Sequence, residues 1–144
     1  MTNEGVIVTQ LDREGRDALH YAAQDDDIDT MKTRLDAGVD VNMTESRSGF
    51  TPLHFAVNWG AVQAAEYLLD AGADLEIRAR KGEHAPLHLA VTRWRLSPDG
   101  AMLRLLIERG ADLTATDSRG RTPADVAAGQ FEFPDELNRM LTHE

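Results

Sequence analysis

One dipeptide limits the folds open to this chain more than any other feature. Leu-His occurs at Leu19-His20, Leu53-His54 and Leu87-His88, each copy 34 residues after the last. A second marker closes each unit: Gly38-Val39-Asp40, Gly72-Ala73-Asp74 and Gly110-Ala111-Asp112. Two markers in register over three units mean a chain built from one repeating supersecondary unit. A fourth copy is worn. Thr122-Pro123-Ala124-Asp125 aligns with Thr51-Pro52-Leu53-His54, and Ala124 follows Leu87 by 37 residues.

The unit reads as two helices. In the second copy Gly49 makes a turn and Thr51 is a good N-cap. Pro52 takes the first helical position, where its missing N–H costs nothing. Leu53, Ala56 and Val57 stand at i, i+3 and i+4 and share one apolar face. Gly60 ends this short helix. Ala64, Ala65, Leu68 and Leu69 form the stripe of a second helix, and Gly72 supplies its left-handed stop. Two such helices bury too little surface to stand alone, so neighbouring units must stack.

These residues closely resemble the ankyrin repeat, through Thr51-Pro52-Leu53-His54 with Ala56 and through the closing Gly-Ala-Asp. The resemblance covers about residues 12 to 142. It implies an all-α ankyrin-repeat solenoid of stacked helix-turn-helix units with hairpin-like finger loops. The repeats fall at about 12–45, 46–78, 79–116 and 117–142 of a domain at 12–144, with a capping or frayed segment at 1–11. It also implies a non-catalytic module that binds a partner protein. The repeat histidine is then structural, hydrogen-bonding around the turn.

Three departures matter. Repeat one has Asp17-Ala18 for Thr-Pro, which keeps a capping side chain. The fourth copy has Asp125 where the others have histidine, as suits a terminal unit with one face toward water. In repeat three His88 and Gly110 are 22 residues apart, against 18 in repeats one and two. Four extra residues amount to about one helical turn. Ser97-Pro98 reads as the N-cap and first position of the second helix. The expectation is an inner helix longer by a turn or a longer inter-helix loop. A tolerated change in loop length and a binding element exposing Arg93, Trp94 and Arg95 both fit.

Composition narrows the function. At 144 residues one domain is expected. The chain has no cysteine, which removes thiol and disulfide chemistry and fits a cytoplasmic location. No apolar run approaches the roughly 20 residues of a membrane span, and the start has no basic region to make a secretory signal. A net charge of −10 argues against general phosphate binding, so nucleic acid is only a remote ligand. Metalloprotease, P-loop and nucleophile-elbow motifs are absent. Stacked helices hold equivalent positions about 8–10 Å apart, too far for His20, His54 and His88 to share one zinc at about 2.0–2.1 Å. His84 and His143 are isolated. Asp25 to Asp29 lacks the spacing of a calcium loop and reads as helix N-terminal charge. No metal, cofactor or catalytic residue is assigned.

The resemblance places the contact surface on the concave side, at the finger tips and the exposed faces of the first helices. The finger positions are Arg13, Glu14 and Arg16; Arg47, Ser48 and Phe50; Arg80, Lys81 and Glu83; and Ser118, Arg119 and Arg121. Seven are basic and two acidic, a net of +5, so the edge calls for acidic groups on a partner. The first-helix positions are Gln24 and Asp25, Asn58 and Trp59, and Thr92 and Arg93. Trp59 either packs on the next helix or is an exposed anchor of a type favoured at binding hot spots. Trp94 is expected to join it as a second aromatic on the neighbouring repeat. The candidate contact set is therefore Arg13, Arg16, Asp25, Arg47, Phe50, Asn58, Trp59, Arg80, Lys81, Arg93, Trp94, Arg119 and Arg121. A stand-alone chain, monomeric when alone, acidic and free of cysteine, suits a bacterial immunity or antitoxin-type inhibitor. A scaffold or adaptor subunit is the broader form of the same role.

Overall fold

The computed structural model describes residues 11–13 and 15–142. Residues 1–10 of the expected N-terminal segment, together with Glu14 and His143, lie outside the described residues. The helices form four antiparallel pairs: α1 Ala18–Gln24 with α2 Ile28–Asp36, α3 Pro52–Asn58 with α4 Val62–Asp70, α5 Pro86–Thr92 with α6 Ala101–Glu108, and α7 Pro123–Ala128 with α8 Asp135–Thr142. There is no strand among the described residues. The first helices pack in one row, α1 on α3 on α5 on α7, and the second helices in another, α2 on α4 on α6 on α8. The fold is the all-α repeat solenoid that the markers imply.

The repeated residues sit where the pattern requires. Leu19, Leu53 and Leu87 are 0 to 1% exposed between the rows, with Ala23, Ala56, Ala90 and Val91 beside them. Met31, Leu68 and Leu106 seal the second row. Removing such a leucine side chain costs about 3–5 kcal/mol, because the stack collapses only partly around the hole.

Each repeat histidine is fully buried and serves two backbones. Its Nδ1 accepts the N–H of the residue that caps its own helix: Asp17 for His20, Thr51 for His54, Ala85 for His88. Its Nε2 lies 2.9–3.2 Å from a carbonyl of the next finger: Met43 for His20, His84 for His54, Arg121 for His88. An acceptor at Nδ1 and a donor at Nε2 define the neutral Nε2–H tautomer. Burial pushes His54 down to about 4, with the His84 carbonyl only partly opposing it. In the last repeat the Asp125 carboxylate accepts the Thr122 N–H at 2.9 Å, doing the local half of this task. Asp125 spans only its own cap, and among the described residues no fifth finger follows for it to reach.

Neighbouring repeats also cap each other. The acidic run at the end of α1 contributes Asp27 as the cap of α2, accepting the Thr30 N–H at 3.2 Å. Asp26, at φ +60°, accepts the Ala64 N–H at 2.7 Å and so caps α4 of the next repeat, whose own Ala61 has no capping side chain. In repeat three the four extra residues become a longer connection, not a longer helix. Two 3₁₀ turns, Trp94–Leu96 and Pro98–Gly100, separate α5 from α6. Ser97 and Pro98 open the second turn. α6 itself starts only after Asp99 and Gly100 have turned left-handed. The Ser97 hydroxyl still reaches forward and accepts the Met102 N–H at 3.1 Å.

Candidate functional site

Two of the fingers are built on buried carboxylates at their bases. The buried Glu45 accepts the N–H groups of Ser48 and Phe50, the Ser48 hydroxyl, and Arg16 Nε of the preceding finger at 3.0 Å. Burial alone would raise its pKa. The hydrogen bonds from Ser48, Arg16 and Phe50 outweigh that and hold it at about 2. Asp117 repeats the arrangement in the last finger, accepting from the N–H groups of Arg119 and Arg121 and from Arg121 Nε at 3.0 Å. Against the cost of burial these bonds also bring it to about 2. Fingers are further joined backbone to backbone, Arg80 N–H to the Ser48 carbonyl and Ser118 N–H to the Gly82 carbonyl.

These carboxylates change the electrostatics expected at the fingers. Adding Asp12, Glu45 and Asp117 to the twelve turn positions gives seven basic against five acidic residues, so the fingers carry +2 rather than +5. Arg16 and Arg121 are each spoken for, within 3.0 Å of Glu45 and Asp117. Arg80 donates to the Ser46 carbonyl at 2.6 Å and ties its finger to the one before. Arg13 and Arg119 are exposed at the outer fingers, and Asp25 is exposed at the end of α1.

Six of the candidate residues converge. Arg16, Arg47, Phe50, Asn58, Trp59 and Lys81 line one open groove of about 370 Å³ on the side formed by the fingers and first helices. Its floor is aromatic. Phe50 meets Phe55 edge-on at 5.8 Å between centroids and stacks on His54 at 5.1 Å, while Phe55 meets His20 at 5.3 Å. The Arg16 guanidinium lies 5.0 Å from the Phe55 centroid, a cation–π contact at the groove wall. Trp59 stands above this floor, 57% exposed. It is the C-cap of α3, and its backbone N–H closes the helix on Phe55. Beyond it a smaller hollow of about 200 Å³ adds Arg93 and Leu96 to Asn58 and Trp59. Arg93 Nε donates to Asn58 Oδ1 at 3.0 Å and joins the two hollows.

The structure separates the two tryptophans. Trp94 is half-buried under the last repeat, edge-on to Phe133 at 5.8 Å, with the Arg95 guanidinium 4.4 Å from its ring centroid. It lines a different pocket, of about 800 Å³, between the 3₁₀ turns and α8. The expected aromatic pair is therefore not formed. What repeat three sends toward Trp59 is Leu96. A Cβ on Gly60 would lie 2.8 Å from the Leu96 Cβ, so this contact exists because residue 60 is glycine, at φ +72°.

No group of three or more His, Asp or Glu side chains able to hold a metal ion occurs among the described residues. No described helix is long and apolar enough to cross a membrane. Family models agree with the architecture. One described as ankyrin repeats (3 copies) matches residues 2–79, and one described as ankyrin repeat matches residues 83–118. Both matches end before α7, where Asp125 stands in for the histidine. No curated protein matches the chain.

Proposed function

The chain belongs to the ankyrin-repeat family, whose repeats are in general protein–protein interaction modules, and we propose that it binds its partner protein in the groove beneath Trp59. The observation that carries this reading is the setting of Trp59. A tryptophan 57% exposed over an aromatic floor offers a partner a large apolar area with little conformational entropy left to lose. It stands on a rigid row of helices, which lowers the cost of ordering the surface on binding. Of the wider contact set, Phe50, Asn58, Lys81 and Arg93 belong to this surface. Arg13, Asp25, Arg80, Arg119 and Arg121 lie outside both hollows.

An inhibitor of the immunity or antitoxin type and a scaffold subunit would both use this face. The test is capture of the native partner on immobilised wild-type protein, followed by its affinity for Trp59→Ala. The expected result is at least tenfold weaker binding, in line with a hot-spot loss of about 2 kcal/mol, with an unchanged unfolding midpoint. Equal affinity for the two proteins would place the interface elsewhere.

A further inference from the structure

We infer that the occupant of this groove is an acidic segment of the partner carrying an aromatic or large apolar side chain beside one or more carboxylates; the inference rests on the groove being the partner-binding surface. The chain holds 25 Asp and Glu against 15 Lys and Arg. Yet among the described residues none of those lining the two connected hollows is acidic, and four are basic: Arg16, Arg47, Lys81 and Arg93. On a surface of this composition such a segregation is a property of the site, not of the average.

The hydrogen-bonding capacity has the same sign. Arg16 is committed to Glu45. Lys81 makes no ion pair or hydrogen bond among the described residues, and its ammonium has three donors to offer. Arg93 uses Nε on Asn58 Oδ1, which leaves its two terminal nitrogens. That bond occupies the Asn58 side-chain carbonyl and leaves its amide N–H groups as further donors. The hollows therefore present donors around an aromatic centre, and what complements them is a set of acceptors around an apolar anchor.

The arrangement has a direction. Lys81 and Arg93 belong to repeat three. At the repeat-one end Gln24 lines the groove, and just past it come the exposed Asp25, Asp26 and Asp27. The carboxylates of the segment belong over Lys81 and Arg93, with its uncharged end toward Gln24. This also favours a peptide over a nucleic acid. A phosphodiester strand carries charge along its whole length and would run into the acidic end, whereas a short segment can confine its charge to one side.

Selection of short random peptides displayed on phage, against the wild-type protein and in parallel against Trp59→Ala, tests this. Peptides enriched on the wild type and lost on Trp59→Ala should be net negative and contain an aromatic or large apolar residue. A synthetic copy of the best peptide should weaken about tenfold when its acidic residues become glutamine, and about as much against a Lys81→Glu, Arg93→Glu double variant. Trp59-dependent peptides that are neutral or basic overturn the acidic segment and leave the groove reading standing. Enrichment indifferent to Trp59 overturns both. Single-stranded homopolymeric RNA displacing the selected peptides at lower concentration than the peptides themselves overturns the assignment to a protein partner.

Discussion

Repeats two and three carry the same Pro-Leu-His helix start, bury the same histidine, and set their tryptophans in opposite surroundings. Trp59 of repeat two ends α3 in the open. Its counterpart in repeat three is Arg93, and the counterpart of Trp94 is Gly60, both 34 residues away. The four extra residues turn a glycine corner into a pair of 3₁₀ turns. The first of these turns drops Leu96 over Gly60 and tucks Trp94 under the last repeat against Phe133. The lesson is that an unchanged inner scaffold lets the corner after each first helix become either a contact surface or a strut.

Acid should break the link between the two repeats first. His54 bridges them through the His84 carbonyl, and a protonated Nδ1 could no longer accept the Thr51 N–H. Its folded pKa, at about 4, lies below the ordinary 6.5, so the unfolded chain takes up protons first. Its contribution is complete above pH 6.5 and is lost as pH falls toward 4. That amounts to at most about 3 kcal/mol. Burial also pushes His20 down, adding loss in the same direction. Urea unfolding at stepped pH should show stability falling over that range, and His54→Gln should flatten the slope. A slope unchanged in His54→Gln would remove the histidine bridge from the account.

The tryptophans themselves should separate next. Trp94→Ala leaves a void against Phe133 and should cost about 2–3 kcal/mol, somewhat below the loss for a wholly buried ring. Trp59→Ala should stay within about 0.5 kcal/mol of wild type. Equal losses in chemical denaturation would erase the distinction between strut and contact surface. Gly60→Ala tests the corner directly. It forces a Cβ into Leu96 at positive φ and should cost about 1–2 kcal/mol; thermal unfolding reads this. The smallest loss among the destabilising variants belongs to Asp26→Ala, which strips the cap that repeat one lends to α4, at about 1 kcal/mol. A Gly60→Ala protein as stable as wild type would mean that Leu96 is not held at the corner.

The legible part of this fold was whatever repeats. Leu-His at a fixed interval, the aspartate or threonine cap before it in repeats one and two, and glycine after the second helix of the first three repeats specify local geometry that a reader can reconstruct residue by residue. The features that escaped depend on where other units come to rest. Ser97-Pro98 looks like a helix start, yet α6 begins later because Asp99 and Gly100 adopt left-handed backbone, which Asp-Gly permits but does not announce. Asp26 reads as a solvated charge until stacking brings the Ala64 N–H to it. Trp94 reads as exposed until Phe133 of the last repeat packs against it. The finger-base carboxylates left a signal that went unused. Asp12, Glu45 and Asp117 each precede a finger glycine by three or four residues, and noticing them would have reduced the apparent finger charge. In the site, Trp59 and its neighbours could be named by aligning the repeats with the family they resemble, but not which cations were already paired.

The most direct test of the central claim, that the groove beneath Trp59 is the binding surface, is the emission of Trp59 alone in a Trp94→Phe protein, free and saturated with the native partner. The account predicts a red-shifted emission readily quenched by acrylamide in the free protein, turning blue-shifted and protected in the complex. An emission already protected in the free protein, or one unchanged at saturation, would contradict it.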